Sequence, residues 1–316
     1  MELRAITDDE VTAFRDCVIT TFGDDPGDGD PDGDRRFRAL VPPGQAWAMF
    51  DGSLVVGTAA TLELQIGMPG GGSLACAGLT MVTVRPTSRR RGILNALMAR
   101  YLEDARERRH AIAGLWASEA TIYGRYGFAI AAYDDITEIT AAHSLAIAGG
   151  GDTMEWLDEA PAREVLPDVF ARATAERPGV LRRDPVWWNE RRFLEAPYHR
   201  KGASKRRHVL AVRDGEPVGY VAYRARDSFS GGVAAGKVDI LELVGVDTRA
   251  TASLWRYLCA IDLFPNVSWG NTPVDDPLKH LVSDPRRVSR RRSDSLWLRV
   301  EDPARALAAR SFGGEL

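Results

Sequence analysis

Residues 10–22 place Val11, Phe14, Val18 and Phe22 at three- and four-residue steps, the pattern of an amphipathic helix. Alternating, strand-like runs follow at 45–50 and 53–66, joined at Asp51-Gly52, a dipeptide suited to a tight hairpin. The stretch 67–73, GMPGGGS, reads as a turn, and 79–84 as a third strand stopped by Pro86. The period then changes from two to 3.6, with Leu94, Leu97, Met98, Tyr101 and Ala105 sharing one helical face. A short strand is expected at 113–117, a helical turn around Tyr123, and strand again over 128–140. The segment 24–34, DDPGDGDPDGD, is too polar to build a core and is expected to be loop.

The run Gly149-Gly150-Gly151 marks a domain boundary. Beyond it, Trp187, Trp188 and Arg191 fall in a predicted helix after Asp184-Pro185, with the tryptophans expected in the core of the second half. A hairpin is predicted over 208–212 and 218–224 around Asp214-Gly215, then a strand at 238–244 and a helix at 250–263. This strand, strand, helix order echoes the first half. The expected division is 1–148, 149–294 and a final piece, 295–316.

A length of 316 residues, 45% hydrophobic and 27% charged, supports two full cores. The formal net charge of −3 exerts no general pull toward nucleic acid or an anionic membrane. Arg286-Arg287 and Arg290-Arg291-Arg292 lie among acidic residues and lack interleaved aromatics, so they read as a solvated face. Cys17, Cys76 and Cys259 are far apart and odd in number, which excludes a disulfide framework and a C-x-x-C metal site. The five histidines show no HExxH pair. Asp28, Asp30, Asp32 and Gly33 resemble the start of a calcium loop, but its twelfth position would be Ala39. No metal is therefore expected. The amino-terminus is charged from the start, and no run of about 18 uncharged apolar residues occurs, so a cytoplasmic protein without membrane partners is expected.

The informative stretch begins LTMVTVRPTSRRRGIL at Leu79. A strand ends at Val84, and a helix opens near Arg89 with Gly92 in its first turn. The first amides of a helix have no intrahelical partners and sit at the positive end of its dipole. Such an end seats a pyrophosphate; Gly92 would let the ligand approach the backbone, and Arg89, Arg90 and Arg91 would add charge-assisted bonds. A second motif, LWASEATIYGRYGF, occupies 115–128.

Tyr-x-x-x-Gly-Phe at this distance after Arg-x-x-Gly resembles the GNAT superfamily of N-acetyltransferases. VTVRPTSRRRG, WASEATIYGRYGF, WWNERR and NTPVDDPL together resemble the Enhanced intracellular survival (Eis) family, across nearly the whole chain. One position departs from the superfamily motif: Leu94 stands where Gly or Ala is usual.

The resemblance implies an α+β fold of two tandem GNAT-like lobes, each a mixed, mostly antiparallel sheet flanked by helices, with acetyl-CoA bound only by the first. It implies pantetheine contacts from Val82, Thr83 and Val84, pyrophosphate contacts from Arg89, Arg90 and Gly92, and a further cofactor contact from Ser118. Tyr123 falls on the family's general acid, with Tyr126 as its competitor, and Phe22, Asp24 and Met81 fall near substrate-pocket positions. The implied reaction is direct acetyl transfer to a primary amine of aminoglycoside, lysine or polyamine type, in a homo-oligomer of hexameric form. A non-catalytic acyl-CoA-binding or interaction protein is the alternative. Family members add a C-terminal sterol-carrier-like domain whose terminal carboxylate acts as base; 295–316 would be its start, and the base here is unassigned.

Overall fold

The computed structural model describes residues 1–26, 30–196 and 200–311. The chain forms two compact units, both discontinuous in sequence. The first takes Met1–Ala131, Glu176–Leu194 and everything from Leu296; the second takes Ala132–Ala175 and Glu195–Ser295. Each is a mixed, mostly antiparallel sheet flanked by helices.

The sheet of the first unit contains β1 (Glu2–Ala5), β2 (Ala46–Asp51), β3 (Leu54–Gly67), β4 (Ser73–Val84), β5 (Ile112–Trp116) and β6 (Ala129–Ile130). The order is β1-β2-β3-β4-β5, then the strand Leu296–Val300, then β6, with Leu181–Arg182 beside the far end of β3. Among the described residues of this sheet only β4 and β5 run parallel, and their connection is α3 (Ile93–Glu107). Helices α1 (Val11–Thr21) and α2 (Gly33–Leu40) precede β2, and the single turn α4 (Ala120–Tyr123) follows β5.

The periodicity of α3 is realised in packing. Leu97, Met98 and Tyr101 are fully buried against Ala77, Leu79, Ala113 and Leu115, and the Tyr101 hydroxyl donates to the Ala77 carbonyl at 2.7 Å. Gly57 permits this closeness, because a Cβ there would lie 2.6 Å from Cγ2 of Ile93. On the other face, Phe14, Cys17, Phe37 and Val41 pack onto Ala48, Phe50, Val55 and Ala60, with the rings of Phe14 and Phe37 5.3 Å apart. Burial of each such Phe is worth about 1.5–3 kcal/mol, which fixes α1 and α2 to this face.

The second sheet repeats the plan. Its order is Val288–Asp294, Tyr133–Ile139, Asn266–Pro273, Lys237–Gly245, Glu216–Arg226, Arg207–Arg213, Thr153–Leu157. Lys237–Gly245 and Asn266–Pro273 form its parallel pair, connected by the helix Thr248–Cys259. The arginines of Val288–Asp294 serve this unit: Arg290 pairs with Asp276 at 2.6 Å and Arg292 with Asp135 at 3.1 Å.

Three sequence expectations change. Residues 296–300 do not open a separate C-terminal piece; they pair with both β5 and β6. A pattern of alternating residues announces a strand, but which open edge it fills is decided at long range. Trp188 is buried in the first unit rather than in the second half's core. The acidic segment is not all loop, because α2 begins at Gly33 and buries Gly33, Arg36 and Phe37.

Candidate active site

Strands β4 and β5 pair only at Cys76–Gly78 with Ile112–Gly114. Beyond Gly78 and Gly114 they part, leaving a gap between residues 79–84 and the end of β5. In β4 the register against β3 jumps from Thr83 opposite Thr58 to Thr80 opposite Ala60, so Met81 and Val82 face Ala59 alone. This is a β-bulge, and Met81 adopts the left-handed conformation, φ +53°. The bulge resets side-chain parity: Leu79, Val82 and Val84 belong to the α3 side, while Met81 packs with the α1 cluster.

Hydroxyls hold the bulge. Thr58 donates to the Met81 carbonyl at 2.7 Å, and the Thr58 and Thr83 hydroxyls lie 2.6 Å apart. Because the Thr58 proton is committed to the carbonyl, Thr83 donates to Thr58, and the Cys17 thiol, 3.8 Å away, donates to Thr83. Thr58 and Cys17 carry no local motif, and only the fold brings them to the site. The amide of Arg85 donates to the Val56 carbonyl on β3 at 2.9 Å. Strand alternation therefore turns the Val84 and Val82 amides to the other edge, into the gap, and the Thr83 amide toward β3.

The turn after β4 wraps through Arg90 (φ +63°) and Gly92 (φ +79°) into α3. Gly92 is the N-cap and supplies no side-chain bond; the first intrahelical bond is from Ala96 to Gly92. The amides of Ile93, Leu94 and Asn95 are thus without helical acceptors. A Cβ on Gly92 would meet nothing within 4 Å, so the space before the helix is open. Arg89 and Arg90 are exposed and have no ion pair among the described residues, whereas Arg91 lies 3.4 Å from Asp51. Amides, unpaired guanidiniums and open volume suit a diphosphate.

On the far side, β5 runs through exposed Ser118 into α4. The ring of Tyr123 is buried, edge-on to Phe128 with centroids 6.3 Å apart, in the same cluster as Val82, Val84, Leu94 and Ala117. Its hydroxyl has no protein hydrogen bond among the described residues, and it is not among the fully enclosed polar atoms. Burial first, then the Glu119 charge, pushes this phenol above its ordinary pKa, so it holds its proton at neutral pH. Tyr126 differs: its hydroxyl donates to Asn95 Oδ1 at 2.5 Å, and Arg299 donates to its carbonyl. The two tyrosines, three residues apart, are thus one free and one engaged.

Of the remaining sequence candidates, Phe22 follows α1 and is exposed, as is Asp24, and Met81 is half-buried. The acidic segment is less available to a cationic ligand than its composition suggests. Asp30 pairs with Arg15 and Arg36, Asp34 with Arg15, and Asp32 lies 3.6 Å from Arg35. Asp24 and Asp25 have no such pairs among the described residues, and Asp28 lies outside them. No group of three or more metal-ligating side chains occurs among the described residues.

Residues 2–131 match a family model described as acetyltransferase (GNAT) domain, and residues 179–301 match a second model of the same description. An uncharacterized N-acetyltransferase of Streptomyces avermitilis is 36% identical over 315 residues, covering 98% of this chain and 76% of the relative. The N-acetyltransferase Eis of Mycobacterium bovis is 32% identical over 299 residues, covering 90% and 71%. The crystal structure of Eis1 from Mycobacterium abscessus superposes with a TM-score of 0.81 at 30% identity, covering 99% of this chain and 77% of that one. A GCN5-related N-acetyltransferase from Anabaena variabilis shares the fold at a TM-score of 0.82 and 19% identity.

Proposed function

The chain belongs to the Eis-like N-acetyltransferases of the GNAT type, and from that premise we propose that its first unit moves the acetyl group of acetyl-CoA to a primary amine. The observation that carries this reading is the gap where β4 and β5 part, with the Val82 and Val84 amides turned into it and the unpartnered Tyr123 hydroxyl on the β5 side.

The pantetheine arm lies along β4, bonded to those two amides, with Thr83 holding the bulge rather than donating its own amide. The diphosphate sits on the amides of Ile93–Asn95, with Arg89 and Arg90 reaching it and Gly92 leaving room. Ser118 contacts the cofactor from the end of β5. The acceptor enters from the α1 side, past Phe22, Asp24 and Met81.

The amine nitrogen attacks the thioester carbonyl carbon, so a C–N bond forms and the C–S bond breaks. Amides at the bulge polarise the carbonyl as its oxygen gains charge. The sulfur leaves as a thiolate and takes the proton of the Tyr123 hydroxyl, which is available because the phenol stays protonated. One proton from the original ammonium is released to solvent, and Tyr123 recovers its own from the attacking nitrogen.

A cytoplasmic enzyme assembled as a homo-oligomer, of the hexameric kind, completes this reading; light scattering returning a monomer mass would overturn the assembly. The decisive test is thiol release from acetyl-CoA against a panel of primary amines. Amine-dependent release is expected. Tight acetyl-CoA binding without any amine-dependent release would instead establish a non-catalytic acyl-CoA-binding protein.

A further inference from the structure

The segment that carries both tyrosines is too short to hold itself in place. Helix α4 is a single turn, continued by the tight turn Gly124–Tyr126 and ended by left-handed Gly127, φ +81°. Within it the Gly127 amide donates to the Gly124 carbonyl at 3.1 Å, and the Phe128 amide to that of Tyr123 at 3.3 Å. Helical turns of this length are unstable by themselves in water, and the last carbonyls of a helix have no intrahelical donor. Where the Tyr123 hydroxyl stands therefore depends on what grips the segment from outside.

Tyr126 is gripped at two points. Its hydroxyl donates to Asn95 in the first turn of α3. Its carbonyl accepts from Nη1 of Arg299, 173 residues further along the chain. Arg299 lies on the strand Leu296–Val300, which pairs with β6 through Trp297 and Leu298. A Cβ at position 127 would stand 2.6 Å from Nη1 and 3.4 Å from Cζ of Arg299. Gly127 is thus required twice, by its positive φ and by the guanidinium lying against it.

Arg299 is itself fixed. Its Nε donates to Glu301, whose side chain is only 3% exposed. Glu301 also accepts from Arg106, near the end of α3, at 3.1 Å, and its amide donates to the Ala111 carbonyl just ahead of β5 at 2.9 Å. A carboxylate enclosed in this way holds its cationic partners firmly. The guanidinium is a rigid planar fork, so with Nε committed to Glu301 its Nη1 has one direction left, toward Tyr126.

We propose that Arg299, oriented by Glu301, is the positioning residue for the general acid: its bond to the Tyr126 carbonyl fixes the segment that aims the Tyr123 hydroxyl into the gap. This rests on the reading of the gap as the acetyl-transfer site. Arg299 acts through the backbone of the tyrosine segment, while the Val82 and Val84 amides and the start of α3 lie elsewhere. Its loss therefore moves the proton donor and leaves the cofactor cradle in place. Displacement of a catalytic group by about 1 Å is enough to cost on the order of a hundredfold in rate.

Arg299→Met keeps the length of the stem and removes the donors. Deuterium exchange read by mass spectrometry should show faster exchange over residues 119–130, with the rest of the first unit unchanged. In steady-state kinetics kcat should fall about 10- to 100-fold, with little change in the KM of acetyl-CoA. Gly127→Ala reaches the same contact from the other side without touching Glu301 or Arg106; it should reproduce both changes, and it carries the test if Arg299→Met does not fold. Arg106→Met takes the other partner from Glu301 and leaves the Tyr126 carbonyl bonded, so its loss of kcat should be far smaller. Unaltered exchange over 119–130 and unaltered kcat in Arg299→Met or Gly127→Ala would overturn the proposal. So would an equal loss of kcat in Arg106→Met, or faster exchange spread over the whole unit. Faster exchange confined to 119–130, in a protein that transfers acetyl to no amine even when unaltered, would keep the clamp on the tyrosine segment and overturn the transferase reading instead.

Discussion

The Thr58 hydroxyl donates to the carbonyl of Met81, 2.7 Å away, and so ties a buried threonine of β3 to the left-handed residue of the β4 bulge. Without that bond the bulge would slip toward regular pairing, and the Val82 and Val84 amides would exchange edges. Thr58→Val keeps the shape but strands the Met81 carbonyl and removes the acceptor for Thr83. The expected cost is about 1–3 kcal/mol in denaturant unfolding, with weaker acetyl-CoA binding. Unchanged stability together with unchanged affinity would show that the hydroxyl does not hold the bulge.

Gly92 is expected to be indispensable for the diphosphate. Gly92→Asp adds backbone strain at φ +79° and a carboxylate among the helix amides. Calorimetry should show CoA affinity lowered by about tenfold or more. Gly92→Ala has the strain without the charge, and its side chain meets open space, so its loss should be smaller. Equal effects from the two changes would point to loop distortion alone.

Tyr123→Phe should lower turnover by about a hundredfold or more, the usual worth of a positioned general acid, and leave acetyl-CoA binding nearly intact. Tyr126→Phe breaks the bond to Asn95 and should reduce turnover far less. Steady-state kinetics on both variants check this. A reversed order would make Tyr126 the acid.

One CoA per chain is expected. In the second unit the helix that follows the parallel strand, Thr248–Cys259, is capped by Asp247, whose carboxylate accepts from the Ala250 amide at 2.7 Å. Arg213 binds Asp247 and Asp152 together, so protein carboxylates already satisfy this helix end. Phosphate would meet like charge there. A calorimetric stoichiometry of two would refute this account.

Acid should loosen the second unit through His208. The imidazole is buried, and desolvation, followed by the charge of Arg206, holds its pKa down to about 4, against an ordinary 6.5. Above pH 6.5 neither folded nor unfolded chain protonates it. As pH falls from 6.5 to 4 the unfolded chain takes the proton and the folded one does not, so stability declines across this window and levels off below it. The full effect is on the order of 3 kcal/mol. In denaturant titrations at pH 8, 7, 6 and 5, His208→Gln should lose less stability on acidification than the unaltered chain. Parallel losses in the two proteins would remove His208 from the explanation.

The parts of the site that a reader of the sequence can see are those built by neighbours in the chain. Arg89-Arg90-Arg91-Gly92 makes a helix start with free amides because helix termini are local objects, and Tyr123 and Tyr126 stand out because the short turn holding them is local too. Thr58 and Cys17 are invisible at that level. Nothing near Thr58 in the chain says that it meets Met81, 23 residues away, or that Cys17 meets Thr83, 66 residues away. The acidic segment misleads in the same way, since Asp30 and Asp34 are paired with arginines of α1 and α2 that composition cannot match to them.

By itself the sequence determined the alternation of strands and helices, two cores' worth of apolar residues, and the two motifs on either side of one gap, because periodicity, turn chemistry and helix termini depend on residues a few positions apart. Tertiary structure alone decided the rest. It assigned residues 296–300 to the first sheet, where they satisfy open edges of β5 and β6, and it parted β4 from β5 after Gly78 and Gly114. It also left the Tyr123 hydroxyl free while engaging that of Tyr126. Backbone donors and acceptors must all find partners, but a strand's hydrogen bonds point sideways to segments far away in the chain, so local pattern names the strand and only the assembled sheet names its neighbour.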